Sequence, residues 1–140
     1  MKTDRPYFDT IYETINYHAM QQPDSVAITA PNRHALTFKA LKDRVDTIAS
    51  ILGGINADKK LRIAIIMPNG PEMAVAFLAV SSFAAAAPLN PQHKVSDLEF
   101  YLSDLKADAV ECNHLQLIET PYLYIWLKIL KQTIKRSLGK

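Results

Sequence analysis

Apolar positions recur along this chain with two different periods, and the switches between them mark out its elements. Phe8, Ile11, Tyr12, Ile15 and Ala19 fall at helical spacing, and Thr10 with Glu13 can form a capping box, so a first helix is predicted over about residues 10–20. Pro23 and Asp24 then turn the chain into the β-type run Val26-Ala27-Ile28-Thr29. A turn at Pro31-Asn32-Arg33 leads to a second extended piece, Ala35-Leu36-Thr37, and the two read as a small hairpin. Thr37 can cap a second helix with the stripe Phe38, Leu41, Val45, Ile48 and Leu52. Gly53-Gly54 is its expected stop, since glycine takes the left-handed conformation past a helix end without a Cβ clash.

Beyond this point the polar face disappears. Leu61 to Met67 is a nearly continuous apolar run, as a strand buried on both faces of a parallel sheet requires. Pro68-Asn69-Gly70-Pro71 breaks it. A helix is predicted over about 72–83, and Ala84 to Leu89 has the length of a second parallel strand reached by a right-handed crossover. Asn90-Pro91 closes that strand. Ser96 with Glu99 forms a second expected capping box, opening a helix with Leu98, Leu102 and Leu105 on one face, and Ala109 to Cys112 is the expected third strand. This alternation predicts an α/β fold: a βαβαβ parallel sheet with flanking helices and a small hairpin. Between Met73 and Leu89 only Ser81, Ser82 and Pro88 interrupt the apolar residues. As one helix that stretch would span roughly 25 Å, short of the ~30 Å hydrocarbon core. Its alanines suit close packing against a sheet, so a buried helix is expected there and not a membrane span.

After Pro121 the pattern changes again. Leu123, Leu127, Leu130, Ile134 and Leu138 share one helical face, while Lys128, Lys131, Lys135 and Gln132 share the opposite one, which predicts a basic amphipathic helix. Charge shifts at the same place. Residues 1–120 carry eleven basic and fourteen acidic side chains, whereas residues 121–140 carry five basic and none acidic. The expected organisation is therefore a domain over 1–112 and a separate tail over 113–140. Two readings of that tail stay open: contact with an anionic membrane surface through 122–140 or with an acidic partner, Tyr122, Tyr124 and Trp126 at the interface, or read-through sequence without selected function.

Composition narrows the class further. The 140 residues, 49% hydrophobic and 21% charged, suit one compact soluble domain. A single cysteine, Cys112, excludes an intramolecular disulfide, and His18, His34, His93 and His114 lack metal-ligand spacing. The start of the chain lacks the apolar core of a signal peptide, so a cytoplasmic location is expected, with no nucleic-acid partner. Among candidate chemical groups, Pro68-Asn69-Gly70 and Asn90-Pro91 sit at the strand ends where open α/β sheets bind ligands. Turn formation, with Asn69 bonding its own backbone, is the preferred reading of the first, and Asn90-Pro91 is read in the same way. His93 and Lys94 are a possible anion contact but are read as solvated. Asp104 and Asp108 lie one helical turn apart without a third ligand and are read as a solvated helix face, Ser81-Ser82 lacks a nucleophile-elbow pattern, and Cys112 has only His114 nearby. No nucleophile follows from these positions.

Five short motifs, in order, carry a resemblance. They are Pro23-Asp24-Ser25-Val26-Ala27-Ile28; Leu36-Thr37-Phe38 with Leu41; Arg62 to Glu72, which includes Met67-Pro68-Asn69-Gly70-Pro71; Ala87-Pro88-Leu89-Asn90-Pro91; and Leu98 to Leu105 followed by Ala107-Asp108-Ala109-Val110. Together they resemble the N-terminal subdomain of the AMP-forming acyl-CoA synthetases and adenylate-forming ligases. The match is nearest to oxalate-CoA ligases and 4-coumarate-CoA ligase-like members. Two departures stand out: Ala40 where the family often has glutamate, and Ala84-Ala85-Ala86 where it often has a glycine. The resemblance covers about Phe8 to Val110.

For an intact relative the resemblance implies ATP, a magnesium ion and CoA, with formation of an acyl-adenylate and then an acyl-CoA. The phosphate-binding loop, the adenylate motifs and the lysine-bearing C-terminal domain lie further on in such relatives, and no position here matches them. Catalytic, cofactor-binding and metal residues are therefore assigned to none of these positions, and no cofactor is assigned to this chain. The expectation is a truncated fragment, inactive alone. A separately encoded remainder of the ligase and self-association through exposed sheet surface are the partners considered. The alternative is a non-catalytic interaction module that uses the basic tail.

Overall fold

The computed structural model describes residues 6–53 and 60–112, so the expected amphipathic helix and the 113–140 tail lie outside the described residues. In chain order the elements are α1 (Ile11–Gln21), β1 (Val26–Ile28), β2 (Leu36–Thr37), α2 (Phe38–Gly53), β3 (Arg62–Ile66), α3 (Pro71–Ser81), β4 (Ala85–Leu89), α4 (Val95–Asp104) and β5 (Ala109–Cys112). The α/β alternation is as expected. β1 and β2 pair antiparallel as the small hairpin, and β4, β3 and β5 form a parallel sheet with β3 in the centre.

That strand order fixes where the helices go. The β3-to-β4 crossover moves one way along the sheet and the β4-to-β5 crossover moves back across β3. Right-handed crossovers in opposite directions place their helices on opposite faces. The side chains of the central strand divide accordingly. Leu61, Ile63, Ile65 and Met67 pack with Ala76 and Val80 of α3 and with Leu52 of α2, while Ala64 and Ile66 pack with Leu98 and Leu102 of α4. Burial of each large residue such as Ile63 or Ile65 contributes about 1.5–3 kcal/mol. A further layer covers α3 from outside, where Ile15 of α1, Leu41 and Val45 of α2 and Ala79 of α3 close a third cluster.

Local signals explain most boundaries. Thr10 caps α1 by accepting from the Glu13 backbone N–H at 3.1 Å, while the Glu13 carboxylate accepts from the Thr10 N–H at 3.2 Å, completing the predicted box. Thr37 accepts from the Ala40 N–H at the start of α2. The second predicted box does not form. α4 begins at Val95, so Ser96 already lies inside the helix, and the cap is Lys94, whose extended backbone offers only its carbonyl, to the N–H groups of Asp97 and Leu98. The other end of α4 is a Schellman motif. Ala107 N–H donates to Leu102 O and Lys106 N–H to Ser103 O, and Lys106 sits at φ 50°, a conformation that favours glycine.

Alanine at 84–86 brings no strain, since Asn32 and Lys106 are the described non-glycine residues with positive φ. Within β4 the Ala85 N–H donates to Leu61 O, so alternate residues from Ala85 face β3. Pro88 falls on the other register, facing outward, where its missing N–H costs no bond to β3.

Candidate functional site

The C-terminal ends of β3 and β4 form the sheet edge at which open α/β folds usually bind ligands, and both loops there are engaged in holding themselves. After β3, Gly70 caps α3 in an extended conformation, with Pro71 at the first helical position, where its absent N–H is harmless. Glu72 in the first turn pairs with Arg33 of the hairpin loop at 2.8 Å. The expected bond from Asn69 to its own backbone does not appear among the described residues. It is Asn90, after β4, that makes such a turn, its side-chain oxygen accepting from the Gln92 N–H at 2.9 Å. His93 packs its ring against Tyr101 at 5.3 Å. Both loops thus shape the chain, with Glu72, Asn90 and His93 engaged in local contacts.

The remaining candidates separate in space. Asp108 works at the opposite, N-terminal edge of the sheet: its carboxylate accepts from the Arg62 N–H at 2.9 Å and its own N–H donates to Arg62 O at 2.8 Å. It joins β3 to β5 and is not paired with Asp104 in a shared site. Ser82 ends α3 by donating to the Leu78 carbonyl at 2.7 Å, a role that consumes its hydroxyl. Cys112 closes β5 opposite Ile66, and His114 lies outside the described residues. Among the described residues no group of three or more His, Cys, Asp or Glu side chains is placed to hold a metal ion.

A groove of about 740 Å³ escaped the sequence reading. It lies between the hairpin loop, α2 and the start of α3, floored by Ile28, Leu36, Ile48, Met67, Val75 and Ala76 and edged by Arg33, His34, Arg44 and Glu72. No spacing rule connects positions so far apart in sequence, and only the tertiary packing brings them together. The Arg33–Glu72 pair joins its hairpin and α3 sides, and Arg44 on the α2 side and Asn32 and His34 on the hairpin side are its other polar residues. Lys42 has a raised pKa, chiefly because its ammonium donates to Asp46; burial opposes this, and the Asp46 charge and Tyr12 add to it. Tyr12 O–H also donates to Asp46, at 3.1 Å, so this cluster ties α1 to α2 and faces no strand end.

An open parallel sheet wound in both directions, preceded by a hairpin and two helices, is the architecture of the described residues. The AMP-binding enzyme family model matches residues 15–132, and this chain belongs to that family. The match runs past Val110, where the motif resemblance stops. Oxalate–CoA ligase of Arabidopsis thaliana is 35% identical over 100 residues, covering 69% of this chain and 19% of the relative. Oxalate–CoA ligase of Saccharomyces cerevisiae is 34% identical over 95 residues, covering 62% and 18%. The chain thus spans about a fifth of the length of these relatives. In fold it is similar to the N-terminal subdomain of Klebsiella oxytoca NpsA, with a TM-score of 0.65 at 19% identity over 78% of this chain and 29% of that one. Among the described residues no helix is long and apolar enough to cross a membrane.

Proposed function

We propose that this chain is the N-terminal scaffold portion of an AMP-forming carboxylate–CoA ligase and is catalytically inactive by itself. The observation that carries this reading is the coverage: family membership over most of the chain, but only about a fifth of each oxalate–CoA ligase. In the complete reaction a carboxylate oxygen attacks the α-phosphorus of ATP, pyrophosphate leaves, and the CoA thiol then displaces AMP from the acyl carbon. The described residues do not fit ATP and magnesium. Gly70 is the described glycine at the sheet's ligand edge, it serves as a helix cap, and no acidic cluster lies beside it. No step is therefore routed through the described side chains. Its part is to present a sheet with two covered faces against which the remaining portion of such a ligase builds the site.

The test is ATP–pyrophosphate exchange and CoA thioester formation with oxalate and a panel of other carboxylates. The chain alone should give background rates, and co-expression with the remaining portion of an oxalate–CoA ligase should give a co-purifying, active pair. Exchange above background by residues 1–140 alone overturns the inactivity, and failure to pair under co-expression overturns the scaffold role.

A further inference from the structure

The groove between the hairpin, α2 and α3 lies where two apolar clusters meet without closing over one another. Ile48 packs against both: against the sheet-side cluster that holds Met67 and Ala76, and against the outer cluster on which Ile28, Leu36 and Val75 rest. These side chains floor a space of about 740 Å³. Small-molecule sites commonly enclose roughly 300–1,000 Å³ over an apolar lining with a few polar groups at the edge.

The rim is basic. Leu41 and Val45 of α2 turn inward and are buried, which leaves Arg44 and, one turn further on, Ile48 on the groove side. On the hairpin side a tight turn carries Asn32, Arg33 and His34 to the edge: Asn32 takes φ 57° and the Arg33 N–H donates to Ala30 O at 3.3 Å. Glu72 is the one carboxylate among the described lining residues, and Arg33 pairs with it at 2.8 Å. Those two charges cancel. The guanidinium of Arg44, exposed and without an ion pair among the described residues, therefore sets the sign of the rim. A planar guanidinium beside an apolar floor suits a ligand that is apolar in its body and carries an oxyanion at one end.

We propose that this groove binds a free small amphiphile, its apolar body over Ile28, Ile48 and Val75 and a single oxyanion head at Arg44, with His34 as a second polar contact. Charge complementarity selects that class. A neutral apolar molecule would cover Arg44 without giving it a partner, and a head of higher charge would crowd the Glu72 carboxylate. The site stands whether or not the chain complements a ligase.

Two fluorescent probes test this on the full 140-residue chain. Anilinonaphthalene sulfonate has the required chemistry, and phenylnaphthylamine is the same ring system without the sulfonate. Titration at low salt should give a single saturable site for the sulfonate. Arg44→Gln should weaken the sulfonate about fivefold and leave the amine unchanged, because only the head loses its partner. Glu72→Gln should act in the opposite direction, since it releases Arg33 to the head. Ala30→Trp, which fills the groove from the hairpin side, should displace both probes. Lys94→Gln makes the same change of charge at the cap of α4, away from the groove, and should alter neither. The proposal is overturned if the sulfonate shows no saturable site, or if Arg44→Gln weakens both probes or neither while circular dichroism shows the fold unchanged. It is also overturned if Lys94→Gln matches Arg44→Gln, which would reduce the effect to net charge, or if Ala30→Trp still binds both probes fully.

Discussion

The two faces of the sheet are covered in unequal ways. On one face α3 lies between β3 and a second layer made by α1 and α2, so it is buried from both sides: Ala76 and Val80 meet the sheet and Ala79 meets Ile15, Leu41 and Val45. On the other face α4 is the one covering helix among the described residues, with Leu98 and Leu102 inward and Ser96, Asp97, Phe100, Ser103 and Asp104 exposed. The lesson is about side-chain size. A helix pressed between two layers must be slim, hence Ala74, Ala76 and Ala79, whereas a helix with one partner can carry charges and large rings outward.

Four measurements by chemical denaturation sharpen that contrast. The largest effect should come from Leu98→Ala, because α4 is anchored by two fully inward leucines: a cost of about 2–5 kcal/mol, read as a lower midpoint, would confirm the thin face as the weak one. Next, Ala79→Leu should cost about 1–3 kcal/mol by forcing α3 away from α2, while Ser103→Leu on the open side of α4 should stay within ~0.5 kcal/mol. Equal costs for these two would dissolve the distinction between the layers. At the end of α4, Lys106→Gly should stabilise by about 0.5–1 kcal/mol, since the residue sits at φ 50° and makes its Schellman bonds through the backbone alone.

The smallest effect concerns the outer layer. Lys42→Met removes a half-buried ion pair between neighbouring turns of α2 and should cost about 0.3–0.5 kcal/mol. Folding raises the Lys42 pKa, so the folded state holds this proton more tightly than the unfolded chain. Its contribution is then fully present below the ordinary lysine value and disappears as pH rises through the raised one. The difference between parent and Lys42→Met should accordingly be constant from neutral pH into the mildly alkaline range and vanish in strong alkali.

Much of this architecture was legible from local pattern alone. Thr10 with Glu13, Thr37 before Phe38, and the apolar run 61–67 each carry a physical signal within a few residues, and each became the expected element. Ser96 misled because a serine followed three residues later by glutamate is the same pattern inside a helix as at its start, and Val95 is apolar enough to begin the helix early by packing against the α4 cluster. Asp108 misled for another reason: its partner, Arg62, is remote in sequence, and only parallel pairing of β3 with β5 brings the two together. The hairpin–helix groove is a feature of the same kind, since its walls come from four separate elements. Family membership was readable because five motifs occur in order, whereas chemistry was not, because turn-forming residues at a ligand edge look alike whether or not a ligand is bound.

Pro88 gives the sheet a direction of growth. Facing away from β3, it removes a donor from the free side of β4, leaving few amides there that an incoming strand could grip. β5 carries no such block among its residues Ala109–Cys112. The sheet is therefore an asymmetric template, blunted at the strand made earlier and receptive at the strand made later.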